Sequence, residues 1–197
     1  GIEADWIAAD CANEADTRRL ADETLARFGK VDILVNNAGA AWGAPAEDYP
    51  VEAWDKVMNL NIRGYFILSQ QLGKHCFIPR KSGRILNVAS IAGLGGNPPE
   101  MQTIAYNTSK GAVINFTRAL ACEWGRYNIT VNAVCPGFVE TDMLAGVPEE
   151  PKKVLLSNIP LGRFGRAEEV AALIRFLCTE GTWITGAAID INGGQYM

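Results

Sequence analysis

Histidine is nearly absent from these 197 residues, His75 being the single one. A histidine-rich metal centre is therefore excluded, and a Ser/His/Asp triad would hang on that one side chain. Cysteine is sparse and scattered: Cys11, Cys76, Cys122, Cys135 and Cys178 never form a Cys-x-x-Cys pair. Neither a zinc site nor a disulfide framework is indicated, and reduced cysteines in a cytoplasmic protein are expected. Charge of one sign is lacking too, since 18 basic and 22 acidic residues give a formal net charge of -4. Without a Lys/Arg cluster there is no electrostatic footprint for nucleic acid. No apolar run approaches the roughly 18 residues of a membrane span, so no membrane partner is expected. The opening Gly1-Ile2-Glu3-Ala4-Asp5 has neither a basic start nor an apolar stretch, so it carries no secretory signal, and without an initiator methionine it reads as a cut or trimmed terminus.

What is present suits a globular fold. Hydrophobic residues make up 48% of the chain and charged ones 20%, with 20 glycines, which excludes disorder, a collagen-like repeat and a coiled coil. Short apolar runs at Trp6 to Ala9, Val31 to Val35, Arg84 to Val88, Ile129 to Val134 and Ala187 to Ile191 alternate with segments at helical spacing. The helical segments are Asn13 to Phe28, closed by Gly29, then Val51 to Leu72, Ala105 to Trp124 and Ala167 to Leu177. This alternation predicts an α/β fold, a Rossmann-type doubly wound parallel sheet in three layers. Residues 1–197 read as a single domain without internal repeats. The segment between Asp142 and Arg166, with Pro148, Pro151 and Pro160, breaks the rhythm and reads as an excursion over the carboxyl ends of the strands, where open α/β sheets bind ligands.

The chemistry concentrates at strand ends and on one helix. Tyr106 and Lys110 stand at i and i+4 in Tyr106-Asn107-Thr108-Ser109-Lys110 and share a helical face. A phenol is a poor proton donor or acceptor at neutral pH, but a neighbouring ammonium favours the phenolate and lowers its pKa. Ser90 closes the apolar strand at Arg84 to Ala89, where its hydroxyl is placed to hold a substrate oxygen. Asn61 falls on the apolar row of Trp54, Val57, Met58, Tyr65 and Leu68, and a buried amide needs a reason. Asn36-Asn37-Ala38-Gly39 follows one buried strand and Pro136-Gly137 follows another, both with small residues that let a backbone approach a ligand closely.

With these landmarks, and with Thr141 and the ending Ile184-Thr185-Gly186 through Asn192-Gly193-Gly194, the chain resembles the short-chain dehydrogenase/reductase family from Asp10 to its C-terminus. Within the family it is similar both to gluconate 5-dehydrogenase-like sugar and polyol enzymes and to 3-oxoacyl-carrier-protein reductases. The resemblance implies hydride transfer between NAD or NADP and a secondary alcohol or ketone. It implies that Tyr106 exchanges the substrate proton, Lys110 lowers its pKa and binds the nicotinamide ribose, Ser90 holds the substrate oxygen and Asn61 anchors a water of the proton relay. It further implies that Asp10 and Cys11 read the adenine, that Asn37, Ala38 and Gly39 line the adenosine ribose, and that Pro136, Gly137, Val139 and Thr141 receive the nicotinamide. A homodimer or homotetramer is implied as well.

Two departures stand out. Ser90 and Tyr106 are 16 positions apart, more than is usual in the family, which predicts a loop at Asn97-Pro98-Pro99-Glu100-Met101 near the substrate. No glycine-rich phosphate turn precedes the first apolar run. The resemblance then implies that the family's first two strands lie outside these 197 residues, and that a polypeptide limited to them holds NAD(P) poorly, because the pyrophosphate lacks a helix N-terminus. A cofactor-free scaffold that keeps the fold is the alternative reading.

Overall fold

The computed structural model describes residues 2–141, 144 and 146–196. Four strands form one parallel sheet in the order β1 Ile33–Asn36, β2 Gly83–Val88, β3 Ile129–Pro136 and β4 Ala188–Ile191. Neighbours in sequence are neighbours in space, with Val35 opposite Leu86, Leu86 opposite Asn132 and Val134 opposite Ile189. The central strand β3 is buried along almost its whole length, as expected for a strand covered on both faces.

Side-chain alternation sorts β2 and β3 into two cores. Ile85, Ile129 and Val131 face one layer with Leu72, Phe77 and Leu120, and Ala133 and Cys135 continue it with Tyr65, Val113 and Ile114. Leu86 and Val134 point the other way and meet Leu177 and Cys178. Each such aliphatic side chain contributes about 1.5–3 kcal/mol on burial. The first layer consists of α1 Glu14–Phe28, α2 Val51–Met58, α3 Gly64–Leu72 and α5 Ile104–Trp124, with the short α4 Ile78–Arg80 at its end. The second layer carries α7 Ala167–Thr179, preceded by α6 Glu149–Ser157. Local chemistry sets the ends: Asn13 accepts from the Asp16 N–H at 3.1 Å to cap α1, and Gly29 leaves it at φ 72°.

The structure departs from the sequence reading in three places. Trp6 to Ala9 is not a strand. Among the described residues no strand edge is paired with it; Arg19 and Arg27 of α1 instead donate to the carbonyls of Ala8 and Trp6, and Trp6 stays exposed. The helix expected over Val51 to Leu72 is interrupted by a π-helical turn at Asn59–Arg63, where the Gly64 N–H reaches back to the Asn59 carbonyl. The excursion at Asp142 to Arg166 contains the helix α6. Pro148 enters it in extended geometry, and Glu149 and Glu150 pair with Lys152 at 3.2 Å and Lys153 at 2.6 Å. The prolines and charges that read as irregular are thus first-turn features. Asp142 and Met143 lie outside the described residues.

Candidate active site

Tyr106 and Lys110 sit on the first two turns of α5, beyond the carboxyl end of β2. Lys110 is 3% exposed. Its Nζ donates to the Val88 carbonyl at 2.7 Å and lies 5.6 Å from the centre of the Tyr106 ring. Ser90 leaves β2 in extended backbone, and its Oγ accepts from the Ala92 N–H at 3.2 Å. Ser90 stands close enough to the Tyr106 phenol to draw its pKa downward. The chain after Ser90 rests directly on α5: a Cβ added at Gly93 would stand 2.5 Å from the Lys110 carbonyl carbon. Gly93 is therefore what allows the β2 exit and the Tyr106 helix to approach this closely.

Asn61 is fully buried within the π turn. Its Oδ1 accepts from the Ala40 N–H, and its Nδ2 donates to the Ala40 carbonyl and to Ser109 Oγ, all at 2.9 Å. The amide fastens the loop after β1 to α5, so both of its N–H donors are spent on protein. The water-anchoring role implied for Asn61 is therefore not open to its amide N–H groups. That clamp also brings Gly39 in: a Cβ there would meet Asn61 Oδ1 at 3.5 Å and Lys110 Nζ at 3.6 Å. Asn37 and Ala38 lie exposed on the same loop.

The remaining candidates surround this centre. Asp10 accepts from the Ala12 N–H at 2.9 Å, and the Cys11 carbonyl lies against Gly64 at the start of α3, too close for a Cβ there. Beyond β3, the Gly137 N–H donates to the Ile191 carbonyl at 3.1 Å, and Val139 pairs with Gly165. Thr141 Oγ1 donates to the Val139 carbonyl at 3.4 Å. Pro136, Gly137, Val139 and Thr141 thus lie on one strand exit beside that of Ser90, and none of them contacts Tyr106 or Lys110 through a side-chain hydrogen bond among the described residues. The loop at Asn97 to Met101 is present, and Asn97 Nδ2 ties it to Thr103 Oγ1 and Asn107 Oδ1, each at 3.0 Å.

Burial acts on both members of the pair. It pushes the Tyr106 phenol above its ordinary value, opposed by the nearby Ser90 hydroxyl. Burial also pulls Lys110 down to about 8. The ammonium lies over the phenol ring and donates to the Val88 carbonyl. Ser109, Gly93 and the Val88 carbonyl were not singled out in the sequence; each acts through a contact made only in the folded chain. The five cysteines are free. Among the described residues no His/Cys/Asp/Glu group is arranged to hold a metal, and no helix is long and apolar enough to cross a membrane.

A family model described as enoyl-(acyl carrier protein) reductase matches residues 1–195. The chain is 40% identical to a 3-oxoacyl-[acyl-carrier-protein] reductase of Synechocystis sp. over 199 residues, covering 100% of this chain and 78% of that protein. It is 41% identical to one of Thermotoga maritima over 178 residues, covering 90% of this chain and 71% of that protein. Among solved structures it superposes on a double mutant of a Serratia marcescens short-chain dehydrogenase/reductase with a TM-score of 0.87 at 32% identity, over 96% of this chain and 75% of that one. It superposes equally, at 0.87 and 30% identity over 96% and 74%, on a blue fluorescent protein from a metagenomic library in complex with NADPH.

Proposed function

The chain belongs to the short-chain dehydrogenase/reductase family of oxidoreductases, and we propose that it interconverts a secondary alcohol and a ketone with NAD or NADP at the Ser90/Tyr106/Lys110 centre. The observation that carries this reading is the buried Lys110 ammonium, fixed on the Val88 carbonyl and over the Tyr106 ring, beside the Ser90 turn that leaves the same strand. The names of the relatives favour a 3-oxoacyl thioester as substrate; a sugar or polyol is the alternative carried by the sequence.

The adenine, ribose and nicotinamide parts of a nicotinamide dinucleotide fit the residues present, while a glycine-rich turn for its pyrophosphate is not among them. Lys110 carries three N–H donors, of which Val88 takes one. The bare Cα of Gly39 leaves room beside the ammonium. Asp10 and Cys11 would hold the adenine, Asn37, Ala38 and Gly39 the adenosine ribose, Lys110 the nicotinamide ribose, and Pro136, Gly137, Val139 and Thr141 the nicotinamide. The chemistry the cofactor supplies is acceptance or delivery of a hydride at the carbinol carbon. The protein moves the proton: Tyr106 Oη takes it from the alcohol oxygen in oxidation or returns it in reduction, while Ser90 Oγ holds that oxygen in line. Asn61 keeps the Gly39 loop and α5 in register.

Tyr106→Phe tests the assignment because it deletes the exchanged proton and keeps the ring. Turnover of a 3-oxoacyl thioester or polyol panel should fall by about 10²–10⁴-fold with nucleotide affinity nearly unchanged. Comparable turnover in the variant would remove Tyr106 from the mechanism. We further infer that the protein assembles as a homodimer or homotetramer.

A further inference from the structure

Lys110 is a deeply buried cation. Among the described residues no carboxylate pairs with it; besides burial, the group that influences its titration is the Cys135 thiol of β3, which burial holds neutral by pushing it up to about 12. From β2 the Val88 carbonyl faces the ammonium, and from the loop after β1 comes Gly39, held there by Asn61 of the π turn. An isolated ammonium in such a place is costly unless something favours its charge.

One further group remains. Tyr65, at the start of α3, is 3% exposed, and its ring centre lies 5.9 Å from Lys110 Nζ, close to the 5.6 Å of Tyr106. Both values are within the reach of a cation–π attraction, which strengthens when the cation is desolvated. Among the described residues the Tyr65 hydroxyl has no hydrogen-bond partner, so no polar contact among them explains where the side chain stands.

We propose that Tyr65 is a positioning residue of this site, its ring joining that of Tyr106 in an aromatic clamp on the Lys110 ammonium. Deepening the reading given above, it assigns Tyr65 the task of keeping the amine charged and directed at Val88 and Gly39, and so in place for a ribose. The face of the ring does this work and the hydroxyl does not.

The test reads Lys110 directly, without substrate or nucleotide, so its result is independent of whether Tyr106→Phe abolishes turnover. In protein carrying ¹³C-labelled lysine, the Lys110 side-chain resonance is identified by its loss in Lys110→Met and followed against pH. Tyr65→Leu should lower its midpoint by about half a pH unit, roughly a threefold loss of proton affinity. Tyr65→Phe should leave it where it stands in the unmodified chain. If Tyr65→Leu does not fold, Tyr65→Met, which is flexible and fills the space without a π face, gives the same reading. An unmoved midpoint in the Leu or Met variant overturns the clamp. A shift in Tyr65→Phe as large as in Tyr65→Leu overturns it as well, because the effect would then belong to the hydroxyl.

Discussion

At the scale of single residues, the site stores unfavourable free energy in Lys110. The unfolded lysine keeps its proton to about 10.5, whereas the folded one loses it near 8. Below pH 8 both states are charged and the whole burial penalty opposes folding. Between 8 and 10.5 the folded state sheds the proton first, so this residue's contribution to stability rises with pH. Lys110→Met removes the charge and keeps most of the side chain's bulk. It should stabilise the protein by about 2–3 kcal/mol at pH 7, and the advantage should close as the pH approaches 10. The thiols of Cys11 and Cys178, raised by burial, act oppositely at alkaline pH but are common to both proteins and cancel in the difference. Denaturant titrations at pH 7 and pH 9.5 check this, and an advantage independent of pH would mean that the charge is not its source. Tyr106, Lys110 and Ser90 were legible in the sequence because residue type and local spacing announce them. The burial that shifts Tyr106 and Lys110 was not, because it is supplied by α3 and β3, which are distant in sequence.

Elements place these residues through bare backbone contacts rather than through helix or strand propensity. The 3₁₀ turn Ile91–Gly93 after Ser90 packs on α5, and the contact exists because Gly93 has no side chain. Gly93→Ala would drive a methyl group into the Lys110 backbone, which cannot swing aside. Overpacking of this kind costs about 1–3 kcal/mol, and it acts along the line that joins Ser90 to Tyr106. The variant should therefore lose kcat well beyond its loss of stability. Gly125→Ala is the control: it has open space around it, an ordinary helical φ of -54°, and should change stability by less than about 1 kcal/mol. Equal activity in the two variants at a temperature where both are folded would show that the Ser90 turn does not set the catalytic geometry. The strands β1 to β4 and helices α1, α5 and α7 were readable from apolar periodicity. The π turn was not, since the apolar row from Trp54 to Leu68 runs through it unbroken and only the buried Asn61 marks the place. Helix α6 was obscured because Pro148 and Pro151 are read as breakers unless their position in the first turn is known.

On the scale of the whole molecule, the sheet leaves one layer with apolar surface to spare. The inner faces of α3 and α5 are consumed by β2 and β3, yet Phe66 on α3 is 48% exposed and Ile104 on α5 is 44% exposed. Phe66 meets Phe116 of α5 edge to face at 6.4 Å, so the aromatic pair spans the outer groove between the two helices. A second copy offering the same two helices would bury this pair on a two-fold axis, because an isologous contact needs only one self-complementary patch. Aromatic residues at the centre of such a patch carry much of the association energy. Phe66→Glu would place a charge there without reaching Lys110 or Tyr65, whose side chains lie on the inner face. Light scattering should give a multiple of the chain mass for the unmodified protein, and for Phe66→Glu a dissociation constant raised by at least about 30-fold, following a loss of roughly 2 kcal/mol or more. The Lys110 titration should be the same in both. An unmodified protein that stays monomeric at every concentration would refute the assembly, and an unchanged dissociation constant in Phe66→Glu would place the contact on another face.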